Sequence, residues 1–264
     1  MTIEEQAGLV KLASPKLAGT TGELRDQALL AVEANRQDME QAEKDGIAAP
    51  VIKRLKFDEG KLRDVINGIH DLVQMPDPLF QTKLARELDE GLTLYRETCP
   101  IGVIGVIFEA RPDALVQISA LCIKSGNCVI LKGGSEATKS NKILFDTIYA
   151  AVREAGLPEN CMLQLEARSE INELLTCQSS VDLLIPRGSN AFVQYIMSHT
   201  NIPVMGHADG ICHIYVDKDA DIGKAIPIIL DAKTQYVSAC NTVETLLVHK
   251  DIAKELVPKL AQAL

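Results

Sequence analysis

The sequence predicts an α/β fold: an open parallel sheet covered by helices, preceded by a helical segment and followed by the start of a second α/β domain. Three observations predict it. From residue 102 onward, short apolar runs alternate with amphipathic stretches of helix length, the pattern of βαβ units. Those runs are apolar at consecutive positions, as strands buried on both faces are. Residues 1–90 lack them; alanine, leucine, glutamate and lysine dominate there, with apolar residues at i, i+3 and i+4.

Residues 1–90 are therefore expected to be helical. "TTGE" at 20–23 has the spacing of a capping box, with Thr20 as N-cap and Glu23 reaching back. Breaks are expected near Gly46, Gly60 and the pair Pro76 and Pro78. "GLTLYRETCP", 91–100, alternates polar and apolar residues and reads as an exposed strand. "GVIGVIF" follows as a strand, with a helix at 113–125. "NCVIL" is a strand before a helix at 135–155, and "MLQL" a short one before a helix at 169–176. "VDLLI" leads to a helix at 189–199, and "ICHIYV" is a further strand. A helix at 221–233 then leads to Cys240, the strand "TVETLLVH" and a helix still running at Leu264. The chain contains no internal repeat or low-complexity segment.

The 264 residues, 47% of them hydrophobic, suffice for one sizeable core and up to two domains. A net charge of −9 argues against general affinity for nucleic acid or anionic membrane, though a local patch could still hold a small anion. "MTIEEQAGLV" lacks the basic n-region and apolar core of a secretory signal. The most apolar region, 101–131, is broken by Glu109, Arg111, Asp113 and Lys124, so no membrane span is expected. The chain reads as cytoplasmic.

Seven cysteines, an odd number at irregular spacing with no C-x-x-C, are expected to be free thiols in a reducing compartment. Cys128 and Cys212, in "NCVIL" and "ICHIYV", read as core residues. His207 and His213 have no paired cysteines, so a metal centre is not expected. Cys240, between small and polar residues in "TQYVSACNTVET", is open to several readings: core thiol, half of a disulfide, metal ligand or nucleophile.

Ligands of open parallel sheets bind at the carboxyl ends of the strands. Neither G-x-G-x-x-G nor G-x-x-x-x-G-K-[ST] occurs. Two other turns stand out. In "ILKGGSEA", Lys132, Gly133, Gly134 and Ser135 lead from a strand into a helix; in "LIPRGSNAF", Arg187, Gly188 and Ser189 do the same. Glycines admit backbone to a ligand, and free helix N–H groups suit pyrophosphate. Each turn alone is also compatible with an ordinary strand-to-helix connection; two on one sheet, each with a cation, favour a dinucleotide. In "IFEARPDA", Glu109 and Arg111 end a strand, either as a structural ion pair or to hold a zwitterionic substrate.

The segments "PIGVIGVIFEARPDA", "SGNCVILKGGSEA", "DLLIPRGS", "IPVMGHADGICHIYVD" and "SACNTVETLLVH" closely resemble the γ-glutamyl phosphate reductases, a branch of the aldehyde dehydrogenase superfamily. The resemblance covers nearly the whole chain; E-A-R-P combined with C-N-T-V-E-T marks the reductase branch. It implies an aldehyde dehydrogenase-like fold with a Rossmann-variant cofactor domain. It implies NADPH-dependent reduction of γ-glutamyl phosphate to glutamate 5-semialdehyde and phosphate in proline biosynthesis, with Cys240 as the catalytic thiol. A glutamate 5-kinase is the implied partner, and a homo-oligomer the implied assembly of the full-length protein.

That chemistry also stands on its own terms. Thiolate attack splits a difficult acyl-phosphate reduction into two easier steps. The Cys240 N–H and the Asn241 side chain are candidate oxyanion donors. Oxidising relatives carry an asparagine where Ala110 lies, and in an E-L-G-G segment a water-activating glutamate, where this chain has "VMGHADG". Losing that carboxylate suits an enzyme whose acyl partner is phosphate, with His207 placed at the substrate. NAD-preferring relatives often carry glutamate where Ser135 lies, so Ser135 and Lys132 favour NADPH/NADP⁺.

The expected organisation is an NADPH-binding domain at 1–90 and 102–220, a bridging, oligomerising strand at 91–101, and the opening of a catalytic domain at 221–264. The chain is expected to be an N-terminal portion, inactive by itself. The rivals are another oxidising or acylating aldehyde dehydrogenase and a nucleotide-binding fragment without turnover.

Overall fold

The structure is a computed structural model that describes residues 2–13, 37–47, 49–109, 111–167, 169–206, 210–237 and 239–264. The Thr20–Glu23 capping box and His207 lie outside the described residues. Contacts divide the chain into two compact units, Met1–His207 and Ala208–Leu264.

The first unit opens with helices α1 (Ile3–Ala13), α2 (37–44), α3 (Ala49–Leu55) and α4 (Glu59–Gln74). Asp58 starts α4 by accepting from the Lys61 N–H at 3.0 Å. A hydrogen bond to Lys56 and that backbone contact hold its carboxyl down at about 2. Gly46, at φ +68, ends the second helix, and α4 stops just before Pro76.

Residues 82–89 depart from the helical expectation. They form β1 (Thr82–Asp89), paired antiparallel with β2 (Leu92–Glu97) around a turn at Gly91, φ +75. Leu84 and Leu88 lie four apart and so imitate a helical stripe, but cross-strand pairing takes up the backbone groups instead. Every residue of this ribbon is exposed.

The remaining strands and helices follow the expected alternation: β3 (Val103–Ile107), α5 (Pro112–Lys124), β4 (Cys128–Lys132), α6 (Thr138–Glu154), β5 (Met162–Leu165), α7 (Glu170–Leu174), β6 (Leu183–Pro186) and α8 (Asn190–Ser198). The helix expected from residue 135 begins as a 3-10 turn at Ser135–Ala137. The four strands form one parallel sheet in the order β5-β4-β3-β6. Every residue of β3 and β4 is buried, as covered parallel strands require. With the order β5-β4-β3-β6, the right-handed rule for parallel crossovers assigns α5 and α6 to one face and α7, whose connection runs back across the sheet, to the other. Gly105 is needed at the sheet centre, because a Cβ there would lie 2.6 Å from Leu184.

The second unit contains β7 (Cys212–Val216), α9 (Ile222–Thr234), β8 (Val243–Val248) and α10 (Lys250–Ala263). β7 pairs parallel with β8 and not with the larger sheet. "ICHIYV", which the sequence reading grouped with residues 102–220, therefore belongs with the C-terminal elements, and the division falls before it. Val216, Ile229, Leu256 and Leu260 form this unit's core. Cys128 is fully buried, whereas Cys212, also expected in a core, is only half-buried: it shares the covered face of β7 with Ile214 and Val216 but lies at the start of the strand.

Candidate active site

Three of the sequence-selected turns lie side by side. Ile107 pairs with Lys132 on one flank and with Pro186 on the other. The turns after β3, β4 and β6 therefore leave the same edge of the sheet. Strand order reverses here, since β4 follows β3 on one side while β6 lies on the other. That is the switch point at which open α/β sheets bind ligands. Backbone hydrogen bonds fix the register: Phe108 N–H to the Lys132 carbonyl at 3.0 Å, and Arg187 N–H to the Ile107 carbonyl at 2.7 Å.

In the first turn, Lys132 is buried and its Nζ donates to the Gly133 carbonyl. Gly133 is buried, and a Cβ there would collide with the side-chain amide of Asn141. Gly134 is half-buried, with the Glu136 carboxylate folded over it, and Ser135 is exposed. The helix that follows does not offer its N-terminus to a ligand. The Asp38 carboxylate, from α2, accepts from the Lys139 N–H at 3.3 Å, the Ser140 N–H at 2.7 Å and the Ser140 hydroxyl at 2.6 Å.

The second turn is different. Ser189 caps α8 by accepting from the Phe192 N–H at 3.3 Å, and Arg187 is exposed beside it. A Cβ on Gly188 would lie 3.0 Å from both Glu109 Oε1 and Phe192, so the Glu109 carboxylate rests against this turn. Arg111 is exposed at the start of α5, where Pro112 occupies the first helical turn.

Cys240 and Asn241 lie in the second unit, both exposed, in a turn between α9 and β8. The buried Thr242 pins the turn: its hydroxyl donates to the Tyr236 carbonyl at 2.8 Å and its N–H to the Ala239 carbonyl at 3.2 Å. Four other thiols are buried. Burial pushes Cys122 up to about 12 and Cys161 up to about 11, and raises Cys177. Among the described residues, no group of acidic, histidine or cysteine side chains is arranged to hold a metal ion. None of the described helices is long and apolar enough to cross a membrane.

Sequence reasoning missed Asp38 and Asn141. Asp38 lies in "NRQDMEQAEKD", where nothing separates it from the solvent-facing charges around it. Asn141 left a usable signal: "KSN" places consecutive polar residues in a helix that has to pack on a sheet, and Ser140 and Asn141 are both buried.

An open parallel sheet with glycine turns at its switch point, and a thiol exposed in a separate turn, define a dehydrogenase-type α/β protein. Residues 10–264 match the aldehyde dehydrogenase family, and the chain belongs to it. It is 54% identical, over its full length, to the γ-glutamyl phosphate reductase of Acetivibrio thermocellus, of which it spans 64%. The crystal structure of γ-glutamyl phosphate reductase from Thermotoga maritima matches with a TM-score of 0.87 at 33% identity, covering 98% of this chain and 66% of that one. The corresponding structure from Saccharomyces cerevisiae matches with a TM-score of 0.70 at 41% identity, covering 99% and 70%.

Proposed function

We propose that the protein, at its natural length, is an NADPH-dependent γ-glutamyl phosphate reductase of the cytoplasm that releases glutamate 5-semialdehyde and phosphate, in proline biosynthesis. The observation that carries this reading is the 54% identity to a reductase of that name along the whole chain. An exposed Cys240 in a pinned turn, among mostly buried thiols, supports it.

The residues present fit a dinucleotide. Asp38 already occupies the N-terminus of α6, so the pyrophosphate belongs at the N-terminus of α8, held by Gly188, Ser189 and Arg187. Lys132, Gly133, Gly134 and Ser135 line the adenosine side. Bound NADPH supplies the hydride. Cys240 thiolate attacks the acyl carbon and phosphate leaves with the electron pair of the C–O bond, giving a thioester on Cys240. The Cys240 N–H and Asn241 stabilise the oxyanion. Glu109, Arg111 and His207 serve the amino-acid end of the substrate.

Acyl phosphates hydrolyse readily, so the kinase that makes this one, a glutamate 5-kinase, is a natural partner. The exposed ribbon β1–β2 suits pairing with a second copy: Leu84 and Leu94 share one face with Arg86 and Arg96.

The test is the reverse reaction of the natural-length protein with glutamate semialdehyde and NADP⁺. NADPH formation should depend on added phosphate and saturate with it. Steady turnover to free glutamate without phosphate would instead identify an oxidising aldehyde dehydrogenase. No turnover in either direction would leave a nucleotide-binding protein.

A further inference from the structure

The peptide that follows Cys240 is held from outside its own turn. The Cys212 thiol, at the start of β7, donates to the Cys240 carbonyl at 3.6 Å. Gly210, two residues earlier, lies so close to the same oxygen that a Cβ would collide with it. Two groups of the 210–212 segment thus converge on one carbonyl, which lies 28 residues beyond Cys212 in sequence. Both contacts lie within the second unit. A trans peptide is planar, with its C=O and N–H antiparallel. Fixing the Cys240 carbonyl against 210–212 therefore turns the Asn241 N–H the opposite way. Among the described residues, neither the Cys240 N–H nor the Asn241 N–H donates to an intramolecular acceptor.

We infer that Gly210 and Cys212 are positioning residues for Cys240. They seat the carbonyl that follows the nucleophile, and so hold the thiol and the two adjoining N–H groups in one orientation. Glycine is required at 210 by close approach to the Cys240 carbonyl. At 212 the group needed is a short side chain with a hydrogen to donate, which cysteine supplies weakly and serine would supply better. This inference rests on the reading of Cys240 as nucleophile.

The experiment uses the natural-length enzyme with Gly210→Ala, Cys212→Ala, Cys212→Ser and Cys240→Ala. Four quantities are read: kcat, KM, NADPH affinity, and the pH profile of Cys240 alkylation by iodoacetamide, followed by mass spectrometry. Gly210→Ala should lower kcat by about tenfold or more, the scale of a displaced reacting group, and shift the alkylation profile, with NADPH affinity unchanged. Cys212→Ala should lower kcat by about threefold, the scale of one weak hydrogen bond. Cys212→Ser should restore it. Parental kcat and parental alkylation profiles in both Gly210→Ala and Cys212→Ala would overturn the inference. If Gly210→Ala also loses NADPH affinity, its fold has changed and the Cys212 pair decides: equal behaviour of alanine and serine overturns the inference, and rescue by serine upholds it. Parental turnover in Cys240→Ala would sink the nucleophile reading separately, because the alkylation profiles of the other variants still test the contact.

Discussion

Asp38 and Ser140 form a buried pair: one carboxylate oxygen accepts from both the N–H and the hydroxyl of the serine, at 2.7 and 2.6 Å. An internal anion thus sits where helix N–H groups would otherwise be unpaired. Asp38→Ala would strand two buried donors. Denaturant unfolding should show a loss of about 2–4 kcal/mol. Asp38→Asn, which keeps an acceptor, should lose less.

Gly133→Ala should disturb the cofactor turn without abolishing folding. The new Cβ meets the Asn141 amide, so the turn or α6 has to shift. NADPH affinity should fall by about tenfold or more, as expected when backbone can no longer approach the ligand closely. Unchanged affinity by fluorescence titration would move the site away from this turn. Asn141→Ala should partly rescue the double variant by vacating the space.

Cofactor preference gives a second test of the same turn. Ser135 is exposed and so free to accept a longer side chain. Ser135→Glu places an anion where a 2′-phosphate would lie and should shift preference from NADPH toward NADH. Equal weakening of both cofactors would argue for another adenosine site.

Alkylation should separate the thiols by pH. Burial disfavours the thiolate, so Cys161 and Cys122, at about 11 and about 12, remain protonated through neutral pH. At pH 8 the reactive thiolate fraction of Cys161 is about one in 10³, and that of Cys122 lower still. Limiting iodoacetamide at pH 7–8 should label Cys240 first, and buried thiols should gain labelling only as pH approaches 11 or on unfolding. Early labelling of Cys122 or Cys161 would remove Cys240 as the nucleophile.

The ribbon should be an assembly element. Leu94, 47% exposed, sits opposite Arg86 on β1. Leu94→Asp should dissociate the natural-length oligomer, as read by light scattering, with little change in the far-ultraviolet spectrum. An unchanged mass would place the interface elsewhere.

Most of the sheet was legible because its strands are buried on both faces and so written as unbroken apolar runs; "VIGVI" and "CVILK" leave no competing period. The ribbon was half legible. Leu84 and Leu88 carry a helical spacing, and only pairing with β2, a non-local fact, decides for strand. The same limit hid the partner of β7: an apolar run specifies a strand but not its neighbour. At the site, glycine turns could be read from local sequence, whereas the Asp38–Ser140 pair joins residues 102 apart and leaves no mark at Asp38. The contact of Cys212 with Cys240 was hidden likewise, by reading "ICHIYV" as core.

The division before residue 208 has a consequence for the order in which the protein is made. All four strands of the larger sheet, and the parallel bridge that Val204 adds to Leu184, lie upstream of that point. A ribosome adds roughly 5–20 residues per second, and domains fold largely as they emerge. The glycine turns at its edge can therefore form during translation, before residue 208 is made. β7 cannot do the same, because its partner β8 is separated from it by the whole of α9 and the Cys240 turn. Cys240 thus emerges between a strand still waiting and the strand that completes it. Gly210 and Cys212 are already synthesised by then, so the seat for its carbonyl precedes the thiol itself.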